Sequence, residues 1–397
     1  MEKDLNRIIP RRNTNSLKWD TYPQDVLPLW VADMDFRSPE AVISALQKAV
    51  EHGIFGYPLG IHAGPHDRED LRQIIVDRMK NLYQWEIQAE DILFLPGVVV
   101  GFNMVVRSLA DHGGEILVQP PVYPPILAAP QNSHMQRVEA PLIPVHLNPS
   151  EPILHYEIDF ELFEKAISPQ TKGFILCNPH NPSGRVFTKQ ELEHLADICL
   201  RKNVLICSDE IHNDLIFSPY QHIPIASLDK EIAQNTVTLM APSKTFNIPG
   251  LEFSFAIVPN PDLQKRMLQA GEGLVGWINS LAWEAAAAAY REGQTWLEEV
   301  LGYLKENRDF LTDWLKEKLP QVEFTQPEGT YLAWLNMESL DLKPNPYEFF
   351  LNEARVALND GKAFGTEGKD FVRLNFATQR SILQEALERM KQAIEKR

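Results

Sequence analysis

The chain has 397 residues, 44% of them hydrophobic and 23% charged, so it is long enough for two domains and too apolar to be disordered. Its 38 lysines and arginines against 54 aspartates and glutamates leave a formal charge of −16, which disfavours nucleic acid and anionic membrane surfaces as partners. The three cysteines, Cys177, Cys199 and Cys207, lie in apolar patterns and read as buried thiols of a reducing compartment, not as a disulfide set.

The opening Met1-Glu2-Lys3-Asp4-Leu5-Asn6 lacks the basic and apolar regions of a signal peptide. No apolar stretch approaches the ~20 residues of a membrane span, so a cytoplasmic location is expected. Residues 1–37 are polar and irregular, with Trp19, Tyr22 and Trp30 as scattered anchors. A helix is expected next, with Ser38 as N-cap, Pro39 at its first position, and Val42, Ile43, Leu46, Ala49 and Val50 on one face. Gly53, Gly56, Tyr57, Pro58 and Gly60 read as a loop.

From about residue 68 strands and helices alternate. Ile92 to Leu95 is a short strand, Pro96-Gly97 a turn, and Val98 to Leu109 an apolar helix. Glu115 to Val118 is the next strand, followed by the Pro-rich loop Gln119 to Pro125. Thr188 and Glu191 form a capping box for a helix carrying Leu192, Leu195, Ala196 and Leu200. Short continuous apolar strands between helices predict an α/β fold, a mostly parallel sheet covered on both faces. After about Trp283, helical runs from Ala285 to Leu319 precede alternating strands, Thr330 to Leu335 and Phe371 to Phe376, and a last helix from about Ser381 to Lys396. The expected division is a large domain, 48–284, and a smaller α+β domain made of 1–47 and 285–397.

Three strand-like runs end in chemistry. Gly173 to Cys177 leads into Asn178-Pro179-His180-Asn181-Pro182, Val204 to Ser208 into Asp209-Glu210-Ile211-His212, and Thr236 to Met240 into Ala241-Pro242-Ser243-Lys244. Ligands of open α/β sheets bind beyond the C-terminal strand ends. An amine for an aldehyde, an acid for a ring nitrogen and an amide donor for a ring hydroxyl are what pyridoxal phosphate requires.

Nearly the whole chain resembles the fold-type I pyridoxal-phosphate enzymes of the class I/II aminotransferase superfamily, from Trp30-Val31-Ala32-Asp33-Met34-Asp35-Phe36 to Val372-Arg373-Leu374-Asn375. More narrowly, Asp209-Glu210-Ile211-His212 and Ser243 to Leu251 resemble the cystathionine β-lyase-like C–S lyases of the MalY/PatB group. The resemblance implies that Lys244 binds the cofactor aldehyde and then acts as the base that removes the substrate Cα proton. Asp209 would pair with the pyridine nitrogen, although it could instead cap a helix. Asn181 would donate to the ring hydroxyl, or be only a turn residue; Tyr123 would stack on the ring, or only pack between prolines.

The phosphate would lie on the amides of Gly97, Val98 and Val99 where a helix opens, with Ser243 adding a hydroxyl. Arg373 would grip the substrate carboxylate. Tyr57 resembles the residue that reaches the phosphate from a neighbouring subunit, which implies a homodimer with shared active sites; alone it would be an aromatic in a turn. Two departures from many aminotransferases agree with the lyase group: His212 replaces a tyrosine, and Gly250 to Ser254 contains no arginine. His212 could otherwise be an ordinary buried histidine. With His180 it finds no third ligand at helix spacing, so no metal is expected.

The expected activity is β-elimination from L-cystathionine or related cysteine S-conjugates, a small amino acid substrate. The alternatives are an aminotransferase on the same scaffold and a cofactor-binding regulatory protein; the presence of the lysine, aspartate and arginine argues against the last.

Overall fold

The computed structural model describes residues 5–57, 69–110 and 113–397; Pro58 and Gly60 of the expected loop lie outside them. Seven strands form the larger sheet, in the order Ile92–Leu95, Ser254–Ile257, Thr236–Met240, Leu205–Asp209, Thr171–Cys177, Glu115–Val118 and Gln136–Glu139. The last five run parallel to one another, and Ser254–Ile257 is antiparallel to both its neighbours. The fold is thus the mostly parallel, helix-covered α/β sheet that the apolar strand runs predict.

Alternation along these strands sorts their side chains into two cores. Ile116, Ile175, Leu205, Cys207 and Val237 pack with Phe102 and Val105 of helix Val98–Ser108 on one face. Leu117, Phe174, Leu176 and Ile206 pack with Leu192 and Leu195 of helix Lys189–Arg201 on the other. The expected capping box is formed: the Thr188 hydroxyl accepts from the Glu191 amide, and the Glu191 carboxylate accepts from the Thr188 amide. All three thiols are free and buried.

A second sheet has six strands, in the order Asn359–Asp360, Phe371–Asn375, Leu332–Asn336, Glu323–Thr325, Ile153–Glu157 and Ile143–Val145. Its last two strands form a hairpin from the middle of the chain, joined through the parallel pairing of Phe324 with Ile153. The two sheets therefore do not follow the boundaries at 47 and 284. Leu29, Met34, Phe36 and Val42 share a core with Leu297, Val300, Leu304 and Leu335, so the N-terminal segment packs against the C-terminal part of the chain.

Three boundaries differ from the sequence reading. Ser38 does not cap a helix: its hydroxyl donates to the Asn247 carbonyl, and helix Glu40–His52 starts after Pro39. The strand expected from Thr330 begins at Leu332, because Thr330 is left-handed (φ 69°) and its amide donates to the Leu215 carbonyl. The helical run after Trp283 is two helices, Ser280–Glu292 and Gln294–Lys318. They meet at Gly293, where a Cβ would lie 2.5 Å from the Phe246 ring.

Charges fasten the N-terminal segment. Lys18, fully buried, pairs with Asp35 at 2.8 Å, and Arg11 pairs with Asp35 and Asp33, each at 2.7 Å. Trp19 Nε1 also donates to Asp35. Burial alone would raise the Asp35 pKa; Lys18, then Arg11 and Trp19, outweigh it and hold the carboxyl below its ordinary value. The stability Asp35 contributes is therefore complete above the usual carboxylate range and lost as pH falls through its lowered value. Asp35→Asn leaves Lys18 buried with only Asp33, at 3.6 Å, as its charge partner. We expect it to lose about 3–5 kcal/mol in urea unfolding at pH 7, the usual loss when one partner of a buried pair is removed. The difference from the parent protein should shrink in acid.

Candidate active site

The strand ends converge on one cavity of about 490 Å³. Its wall includes Gly97, Val98, Val99, Tyr123, Asn181, Asp209, His212, Ser243, Lys244 and Arg373, all singled out from sequence. Tyr57 is not on it: its ring is 91% exposed and meets Trp277 edge-on at 5.1 Å.

Lys244 lies in the short helix Pro242–Thr245, entered from the strand through extended Ala241. Its Nζ donates to the Ala32 carbonyl at 2.7 Å. Burial brings its pKa down to about 8; Asp33 and Asp209 oppose this, and Arg373 adds to it. Asp209 ends its strand, is only 3% exposed, and accepts from the Ile211 amide through Oδ1 at 3.2 Å. No helix opens there, so the capping alternative does not hold; the residue makes a local turn through Oδ1, and Oδ2 has no hydrogen-bond partner among the described residues. Burial raises the Asp209 pKa to about 7, with Glu210 adding, while the Ile211 amide and Lys244 oppose.

Asn181 accepts from Arg373 Nη1 through Oδ1 at 2.9 Å, which leaves its amide NH₂ as donor. Arg373 Nη2 donates to the Trp30 carbonyl at 2.9 Å and to Asn359, and its guanidinium lies 5.0 Å from the centre of the Phe364 ring. Its Nε is buried without a partner among the described residues. Burial lowers the Arg373 pKa to about 10. His212, also buried, sets its ring edge-on to Tyr331 at 5.8 Å, and its Nδ1 has no partner among the described residues. Burial, then Lys244 and Arg373, push its pKa well down and keep it neutral.

Tyr123 immediately precedes helix Pro124–Asn132, and burial raises its phenol pKa. The first bond of helix Val98–Ser108 runs from the Gly101 amide to the Gly97 carbonyl, so the amides of Val98, Val99 and Val100 precede the helical ladder. Such a free helix end, with the Ser243 hydroxyl beside it on the cavity wall, suits an anion.

One part of the wall was not foreseen. Trp30, Val31 and Ala32 line the cavity. Asn375 Nδ2 holds this segment by the carbonyls of Val31 and Asp33 (2.6 and 2.7 Å). Asn247, left-handed at φ 56°, holds Met34 through its amide and carbonyl and Phe36 through its carbonyl. The runs carrying these residues are visible in the sequence, but main-chain carbonyls carry no residue signature.

The family model for class I and II aminotransferases matches residues 24–390. The chain belongs to this family. Cystathionine β-lyase PatB of Bacillus subtilis is 37% identical to it, over 97% of this chain and 98% of that protein. Cystalysin from Treponema denticola, solved with pyridoxal 5′-phosphate, matches with a TM-score of 0.92 and 33% identity over the full length of both chains. The C–S lyase from Staphylococcus hominis, also bound to pyridoxal phosphate, matches with a TM-score of 0.89 and 32% identity over 98% of each.

The family member described here is a pyridoxal-phosphate enzyme, and its cavity fits the group. An amine, a buried acid with a spare oxygen, an amide donor and a free helix end share one wall. The Lys244 amine of the cofactor-free protein should react with an amine-directed reagent with a midpoint near pH 8, being protonated and inert below it. A lysine side chain in a model peptide titrates at about 10.4. Peptide mapping by mass spectrometry after pulse labelling separates Lys244 from the other lysines.

Proposed function

We propose that this chain is a dimeric C–S β-lyase that cleaves L-cystathionine or related cysteine S-conjugates to a thiol, pyruvate and ammonia. One observation carries the reading: Lys244, Asp209, Asn181 and Arg373 line a single buried cavity at the strand ends. Full-length similarity to proteins named for C–S cleavage supports the lyase over other chemistries of the family.

When bound, pyridoxal phosphate withdraws electrons from the substrate Cα and so makes its proton removable. Lys244 would hold the cofactor through its aldehyde, and its Nζ, neutral at modest alkalinity, would be the base for the Cα proton. Asp209 keeps the ring nitrogen protonated through the oxygen that Ile211 does not use. Asn181 donates its NH₂ to the ring hydroxyl while its carbonyl holds Arg373. Tyr123 would cover one ring face, and His212 would sit beside the ring as a neutral group. The amides of Gly97, Val98 and Val99, with the Ser243 hydroxyl, bind the phosphate.

Arg373, already pinned by Trp30, Asn359 and Asn181, takes the substrate carboxylate with its unpartnered Nε and remaining donors. The Cβ–S bond would then break, the leaving thiolate would take the proton held by Lys244 to give the thiol, and water would hydrolyse the released enamine to pyruvate and ammonia. Ile54, Phe55, Tyr57, Leu274 and Trp277 are exposed apolar side chains, with Tyr57 and Trp277 in edge-on contact, which supports a second copy covering that contact and Tyr57 reaching the partner's phosphate. The N-terminal segment and the second sheet would together form the smaller domain that closes the cavity.

The family match favours one other reading, amino-group transfer, which shares every residue above. Protein loaded with pyridoxal phosphate and given L-cystathionine should release pyruvate and thiol in equal amounts. No pyruvate from loaded protein would refute the proposal, and faster transfer to a keto acid would select the alternative. Arg373→Ala should reduce kcat/KM by on the order of 10²-fold or more, the loss expected when a buried charge partner of a carboxylate is removed. Lys244→Ala should abolish the visible cofactor band as well as turnover.

A further inference from the structure

A second acid is buried directly behind Asp209. Glu210 extends the strand by one ladder bond, its amide donating to the Leu239 carbonyl at 2.9 Å. Alternation sends its side chain away from the cavity, whose wall does not include it. There Oε1 accepts from the Ser208 hydroxyl at 2.8 Å and the Ile225 amide at 3.3 Å. Oε2 lies 2.8 Å from His222 Nε2, the two side chains being 0% and 1% exposed. Tyr83 meets the His222 ring edge-on at 5.6 Å, and its hydroxyl accepts from Asn213. None of these groups touches the place where the reaction occurs.

A buried carboxylate next to another carboxylate is unfavourable unless hydrogen bonds offset its desolvation, and the contacts of Glu210 with Ser208, Ile225 and His222 do so. The groups facing Asp209 are Lys244 from across the cavity, Tyr123, the thiols of Cys177 and Cys207, and the Ile211 amide. Among them only Lys244 carries a formal charge, and it weakens the hold of Asp209 on a proton. Glu210 is the charge that acts the other way.

We propose that Glu210, clamped by Ser208, Ile225 and His222, is a positioning residue for Asp209: its charge behind the cavity floor strengthens the grip of Asp209 on the proton shared with the cofactor ring nitrogen. The inference rests on the pairing of Asp209 with that nitrogen. A more basic ring partner keeps the nitrogen protonated, and so keeps the ring withdrawing electrons, to higher pH.

Glu210→Gln tests this with little disturbance. The amide oxygen keeps the bonds from Ser208 and Ile225, and its NH₂ can donate to His222 Nε2 once that ring carries its proton on Nδ1. Isotope-edited infrared titration of the full-length, cofactor-free protein, with Asp209→Asn to assign the band, should place the Asp209 midpoint near 7. In E210Q it should fall by on the order of one pH unit, and Glu210→Asp, which keeps the charge, should restore most of the difference.

In the loaded enzyme E210Q should lower kcat several-fold, by about the same factor as the change in ring protonation, with KM unchanged. An unchanged midpoint in E210Q, or equal effects of E210Q and E210D, overturns the proposal. Should E210Q not fold, the parent spectrum decides: Glu210 must be ionised at pH 7, and a protonated Glu210 overturns the proposal equally. A parent enzyme that forms no pyruvate would sink the lyase reading and leave this titration standing.

Discussion

Desolvation of one cavity floor is the constraint on which the site depends. Burial draws the Lys244 amine down to about 8 and lifts the Asp209 acid to about 7, so two groups with widely separated ordinary values come within reach of one another near neutrality. Neither shift would survive in a wet cleft. Both follow from the parallel sheet, whose adjacent strands Leu205–Asp209 and Thr236–Met240 are buried along their whole length and release their C-terminal ends on the same side. Chemistry is thus set by topology before any ligand arrives.

The dryness is completed from elsewhere in the chain. The segment carrying Trp30, Val31 and Ala32 forms one wall of the cavity, and it is held by opposed devices. Asn375 and Asn247 fix its main chain by hydrogen bonds, whereas Lys18, Arg11, Asp33 and Asp35 fix it by charge. A buried ion pair adds little stability over an apolar substitute, but it has few alternative geometries in which it remains satisfied. That suits a wall whose carbonyls must face Lys244 and Arg373 in register.

What the sequence disclosed follows from how local each signal is. The strand ends bearing Asn181, Asp209 and Lys244 were legible because apolar runs mark buried strands and the polar residue after each run has few other reasons to be there. The Thr188–Glu191 cap was legible because its two bonds close within four residues. Long-range features were not legible. Hairpin 143–157 joins the second sheet by pairing with Phe324, and nothing in its own composition names that partner. Ser38 has the pattern of a cap, yet Asn247, 209 residues away, takes its hydroxyl bond. The carbonyls of Trp30 and Ala32 could not be read because every residue has one. The likeness to known enzymes singled out what spacing could not, Tyr123, Ser243 and Arg373 on the cavity wall, whose roles stand as proposed, while Tyr57 lies off that wall.

Arg373 ties these strands of argument together. Its guanidinium is pinned by Trp30 of the N-terminal segment, Asn359 of the second sheet and Asn181 of the loop that follows strand Thr171–Cys177 of the first, so three separately built parts of the molecule share one cation. On the proposed assignment, a substrate carboxylate entering beside it strengthens a group already bonded to the amide that positions the cofactor ring. Recognition of the amino acid and orientation of the ring then cannot vary independently: whatever displaces Arg373 also displaces Asn181. A cavity that binds only when its two sheets and its N-terminal wall agree on the position of one side chain excludes water and misplaced substrates by the same contact. That is what a reaction at Cα requires, because a carbanion exposed to solvent would take its proton back before the Cβ–S bond could break.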